Sequence, residues 1–226
     1  MMRLWIQLPL LFFILLCSGA QASSRISNDS VIIAVTHLPK NFSPYATAPL
    51  SQSYSHLFFD PLVRWDQDGK LEKRLLKGWR QIKPGVVRFS LKKNIYFHTG
   101  HRLTSDDVLW TYAQIKKGPR FKFFFSDVKK ITRVDKLHFD VDSTLSLAQL
   151  LDYFSNVFIL DKQFYTHLEN PDRPFPEIIR STASKPMVSG TGPYKLQSFN
   201  VNLGLKVEPN KDYWDREKGS LPLIFS

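Results

Sequence analysis

Arg88-Phe89-Ser90-Leu91-Lys92 changes side at every residue. Lys93-Asn94-Ile95-Tyr96-Phe97-His98-Thr99-Gly100 carries it into a turn, and Leu103-Thr104-Ser105-Asp106-Asp107-Val108 opens a helix. From Val86 onward, Val87, Phe89 and Leu91 share one face while Arg88, Ser90 and Lys92 share the other, which predicts a half-buried strand. Gly100 stands where a turn needs positive φ. Thr104 offers a hydroxyl N-cap, and Asp106 and Asp107 lie at the positive end of the helix dipole. Val108, Tyr112 and Ile115, with Leu109 and Ala113 beside them, extend that helix to Gly118-Pro119.

Working outward, short strands interleave with helices. Val31 to Val35 is a compact apolar run, read as a buried strand, and the two prolines of Thr36 to Pro44 favour an extended loop. Ser53 to Val63 reads as a short amphipathic helix ending at Asp60-Pro61. Arg64-Trp65, Asp66-Gln67-Asp68-Gly69 and Lys70-Leu71 read as strand, glycine-closed turn and strand. Ile131 to Val134 and Leu137 to Val141 form a hairpin about Asp135-Lys136. Leu145, Ala148, Leu151 and Phe154 make a helical stripe. Tyr194 to Phe199 and Leu203 to Glu208 form a second hairpin about Asn200-Val201-Asn202. There is no internal repeat, and the class is mixed α and β.

The 226 residues suit one globular domain or two small ones. Hydrophobic content of 43% with 18 phenylalanines excludes a disordered chain. The formal charge of +11 favours anionic partners without naming one. Arg3, the apolar run Leu4 to Leu16 and Ala20-Gln21-Ala22 together read as a secretory signal cleaved after Ala22. That run is short of the about 20 residues that span a bilayer. Cys17, preceded by Leu16 rather than by a small residue, is expected to leave with the signal and not to carry a lipid. The exported chain from Ser23 then has no cysteine, hence no disulfide, thiolate metal site or cysteine nucleophile.

Four stretches, in order, resemble the extracytoplasmic solute-binding proteins of peptide-type ABC transporters, the periplasmic dipeptide- and oligopeptide-binding family. They are Phe59 to Gly69 with Leu75-Leu76-Lys77-Gly78-Trp79; Arg88 to Gly100; Leu103 to Val108; and Gly190-Thr191-Gly192-Pro193-Tyr194 with Asn210-Lys211-Asp212-Tyr213-Trp214. The resemblance runs from Val31 to Phe225. It implies an α/β periplasmic binding protein-like lobe at 23–226, with an inserted α+β subdomain at roughly 55–180. Family members are usually more than twice this length, with two lobes closing on the solute. The chain therefore resembles the first lobe, with the second lobe expected to be missing.

The resemblance implies a non-enzymatic, monomeric periplasmic protein without a cofactor. It would bind a peptide-like solute and deliver it to an ABC transporter permease in the inner membrane. The segment after the first strand would line the cleft, offering the backbone amides of Thr36, His37 and Leu38 to an extended peptide; Pro39 has none to offer. The alternative is an exported single-lobe module, or a decayed gene product, that docks a permease or anionic surface without capturing solute.

Other constellations read as scaffold. Trp79, Phe97 and Trp214 are groups that a core needs. His98 and His101 straddle Gly100 with no cysteine or carboxylate beside them at ligand spacing, so no metal site is expected. Asp106 and Asp107 point about 100° apart on a helix and do not form a catalytic pair. No G-x-S-x-G, P-loop or Rossmann signature occurs. Lys116, Lys117, Arg120, Lys122, Lys129, Lys130 and Arg133 surround Phe121 and Phe123 to Phe125. In an exported chain this run reads as a solvated or anion-facing surface rather than a nucleic-acid site.

Overall fold

The computed structural model describes residues 31–39, 41–46, 49–118, 126–167, 188–200, 202–215 and 223–225. The expected signal, Cys17 and the basic–aromatic stretch from Arg120 to Phe125 lie outside them. Two four-stranded sheets organise the fold. The first has the order β1-β10-β9-β8, from β1 (Val31–Ile33), β8 (Tyr194–Asn200), β9 (Gly204–Pro209) and β10 (Leu223–Phe225). β1 runs parallel to β10, and the other pairs are antiparallel. The second has the order β4-β5-β7-β6, all antiparallel, from β4 (Leu76–Lys83), β5 (Val86–Leu91), β6 (Val128–Arg133) and β7 (His138–Ser143). A two-stranded ribbon of β2 (Val63–Trp65) and β3 (Leu71–Lys73) precedes it, turning at Gly69 with φ of 73°.

β5 alternates as its sequence dictates, with Val87, Phe89 and Leu91 buried. Phe89 stacks on Phe139 of β7 at 5.5 Å, and Phe154 of α4 (Leu147–Phe154) closes on Phe89 edge-on at 5.0 Å. α3 (Ser105–Lys117) packs along β6, where the Tyr112 hydroxyl donates to the Val128 carbonyl at 3.1 Å. Its buried stripe includes Thr111 and Gln114, whereas Ala113 is exposed. The expected single helix at Ser53 to Val63 is instead two short turns, α1 (Pro49–Ser53) and α2 (Ser55–Phe58).

The first strand departs from its reading as a buried one. Val31 and Ile32 are 41% and 61% exposed, and only Val31 to Ile33 pair. Val31 and Ile33 fall on the core-facing rows with Val207 and Leu205, while Ile32 stands beside Ile224 and Lys206 on the outer face. No described element covers that outer face, so an apolar run suited to burial on both sides is buried here on one.

Candidate functional site

The segment that follows β1 is held from below. Pro39 is buried, and Phe42, fully buried, meets Phe58 edge-on at 5.3 Å and Phe199 at 4.9 Å. The Asn41 side chain accepts the Ser43 amide at 3.1 Å. The buried Tyr45 hydroxyl donates to the Phe158 carbonyl, and burial pushes that phenol well above its ordinary pKa. Above this base, Thr36 and His37 are exposed, and Leu38 lays its side chain partly against the core. The amides of Thr36, His37 and Leu38 make no hydrogen bond to another described residue. Three expected site residues therefore form one short run, bent at Thr36, whose amide donors meet no acceptor among the described residues.

The sequence motifs assemble elsewhere, as scaffold. Asp60, in the buried run Phe58-Phe59-Asp60-Pro61-Leu62, accepts from Arg74 Nη2 at 3.2 Å, the Thr191 hydroxyl at 3.1 Å, Tyr213 at 3.0 Å and Trp214 Nε1 at 2.9 Å. Arg74, only 5% exposed, also reaches Glu72 at 2.7 Å and Asp215 at 2.6 Å. Burial works against the Arg74 charge, but Asp60 and its neighbours outweigh it and raise the pKa. The Trp214 ring carries the Arg74 guanidinium at 4.7 Å and Lys92 Nζ at 4.2 Å from its centroid.

His98 belongs to the same scaffold. Its Nε2 faces the Gly192 carbonyl at 3.0 Å and its Nδ1 takes the Gly190 amide at 3.4 Å. Burial lowers its pKa to about 4. His101 turns away, toward Asp161 at 3.2 Å. Asp161 is a buried node that the sequence did not mark: its carboxylate accepts Thr99 at 2.5 Å, Ser189 at 2.9 Å and the amide of Phe164 at 3.1 Å, capping α5 (Lys162–Thr166). The two aspartates of the helix start separate as their geometry requires. Asp106 is half-buried and pairs with Arg133 at 3.2 Å; Asp107 is buried. No cluster of three metal-binding side chains occurs among the described residues.

An open cavity of about 800 Å³ lies between the Asn94 to Gly100 turn, Lys195 and Asp212 to Trp214; none of Thr36, His37 and Leu38 lines it. The motif residues thus surround a scaffold cavity, while the expected ligand segment lies on an open surface.

A family model described as "Bacterial extracellular solute-binding proteins, family 5 Middle" matches residues 70–224. The oligopeptide-binding protein AppA of Bacillus subtilis is 25% identical over 235 residues, covering 95% of this chain and 41% of AppA. The nickel-binding protein NikA of Staphylococcus aureus is 24% identical over 207 residues, covering 89% of this chain and 37% of NikA. Among solved structures, Bacillus subtilis AppA in complex with a nonapeptide superposes with a TM-score of 0.72 at 20% identity, covering 87% of this chain and 39% of that one. The chain spans about two-fifths of the length of the curated relatives it matches.

Proposed function

Because the chain belongs to the family 5 bacterial extracellular solute-binding proteins, we propose that it is the substrate-binding component of an ABC importer, taking a peptide-like solute in the periplasm for delivery to a membrane permease. In this reading residues 23–226 form the first lobe, with an inserted subdomain at roughly 55–180, and the protein acts as a monomer without catalysis. The observation that carries the solute class is the run Thr36-His37-Leu38, which bends at Thr36, exposes Thr36 and His37, rests Leu38 partly on the core, and has no amide bonded to a described residue. A ligand that adds a strand there is held by its backbone, which suits peptides of varied sequence.

The test is thermal unfolding with tri- to penta-alanine at millimolar concentration, repeated with Leu38→Pro, which removes one amide. A ligand that binds only the folded state stabilises it by about 2.7 kcal/mol at a hundredfold excess over its Kd. The expected result is a rise in Tm that the variant loses. The formal charge of +11 suits a second reading, docking of a permease or anionic surface without solute capture. A Tm indifferent to every peptide would favour that reading.

A further inference from the structure

Between Lys73 and Ser105 the sequence carries nine lysines and arginines and no aspartate or glutamate. β4 lies in this stretch, at the edge of its sheet. Its pairing with β5 is irregular twice, skipping Lys77 and Ile82. The second irregularity sets the side of a charge. Arg80 stands opposite Arg88, and Lys83 opposite Val86, so both occupy the outer face, away from Phe89. In unbroken alternation Lys83 would have shared the inner face with Gln81.

Arg88 is already committed, giving Asp140 two hydrogen bonds of 2.7 and 2.8 Å. Lys77, Arg80 and Lys83 are exposed and form no ion pair with a described residue. Between them a side-chain atom built on Gly78 would meet nothing within 4 Å. Ile82 is exposed alongside, while Trp79, opposite Phe89 on the inner face, is half-buried with Lys73 Nζ at 5.6 Å from its ring.

An edge strand that bears only cations repels a second copy of itself and attracts a segment of opposite charge. Arg80 with the exposed Ile82 beside it suits a protein contact, and Lys77 and Lys83 add the charge that steers an acidic partner to it. The other cationic cluster, Lys116, Lys117, Lys129 and Lys130, has Asp127 beside it and Lys130 paired with Asp142 across the ladder, so its charge is partly answered where that of β4 is not.

We propose that the β4 edge, through Lys77, Arg80 and Lys83 with Ile82 beside them, docks an extended acidic segment of another protein. The inference goes beyond solute capture and does not rest on it.

The probe is a fluorescein-labelled ten-residue peptide of alternating glutamate and valine, titrated with the full chain and read by anisotropy. Binding is expected in 50 mM salt, weakened at least about tenfold in 300 mM salt, as surface charge attraction is screened. Lys77→Glu/Arg80→Glu/Lys83→Glu should weaken it about tenfold or more, while Lys116→Glu/Lys117→Glu/Lys129→Glu, with the same change in net charge, should weaken it less than threefold. Circular dichroism checks that both variants fold. Equal losses in the two variants would show attraction to net charge alone and overturn the proposal. So would an alternating lysine–valine peptide binding equally well, or full displacement of the peptide by vesicles of phosphatidylglycerol.

Discussion

Gly190 and Gly192 show what a single missing side chain does here. A β-carbon at Gly190 would lie 2.0 Å from the Phe58 carbonyl oxygen, and one at Gly192 would lie 2.4 Å from the Phe58 carbonyl carbon. Both neighbours are backbone and cannot rotate away. Gly192→Ala should therefore cost about 3 kcal/mol or more, at the upper end of overpacking, by urea denaturation. Gly69→Ala meets only the cost of its positive φ, about 1 kcal/mol, since nothing stands within 4 Å. Equal costs would refute the close-approach account. His98 makes a second prediction at this scale. Its folded pKa, about 4, lies below that of an unfolded histidine, so the unfolded chain takes up a proton that the folded chain refuses. Its contribution is fully present above pH 6.5 and is lost as pH falls toward 4. His98→Gln should then be more costly at pH 7 than at pH 4.5, by on the order of 2 kcal/mol. A cost independent of pH would show that His98 is not held neutral.

At the scale of elements, α3 was legible in its start and in its apolar stripe of Val108, Tyr112 and Ile115, but not in the polar Thr111 and Gln114 that share its buried face or in the exposed Ala113. The Asp107 carboxylate takes the Thr104 amide and hydroxyl, each at 2.9 Å, and the Lys162 amide at 3.1 Å. The start is thus a capping box in which the Asp107 carboxylate takes both the Thr104 amide and its hydroxyl. Asp107→Ala should cost about 1–2 kcal/mol and Asp106→Ala, whose pair with Arg133 is exposed, less than about 0.5; a reversed order in thermal unfolding would contradict the assignment. Thr111 was invisible to a search for apolar periodicity, yet it is buried, its hydroxyl accepting the Leu160 amide at 3.1 Å. Ala148 and Leu145 fitted a helical spacing that the structure shifts to Leu150, Leu151 and Phe154. Alternation exposed β5, β7 and both hairpins to a sequence reading, because one face of each meets a core. It could not show that β1 buries only one face, since that depends on which element lies over it.

Across the whole molecule, the ties that matter join residues far apart in sequence. Motif reading located Asp60, Thr191, Tyr213 and Trp214 separately but not their union, because no local pattern says that the Asp60 carboxylate answers the other three. Arg74 was not marked at all, though its buried Nε lacks a partner among the described residues and its other nitrogens hold Glu72, Asp60 and Asp215. This node fastens the start of the second sheet to the segment leaving β9. Removing Asp60 leaves a buried cation answered only by two half-exposed acids and strands three donors, so Asp60→Ala should lower stability by about 3–5 kcal/mol. Arg74→Met alone should cost less, since the remaining Asp60 keeps three hydrogen bonds and the methionine can fill the space beside Trp214. The decisive quantity is the double variant. If the pair acts as one unit, Asp60→Ala/Arg74→Met will be more stable than the sum of the single losses by about 1–3 kcal/mol, because the second change removes the charge that the first left uncompensated. Strict additivity in guanidinium unfolding would mean that Asp60 and Arg74 are independent neighbours. The node would then consist of the hydrogen bonds from Thr191, Tyr213 and Trp214, with the ion pair incidental to how the two sheets are held.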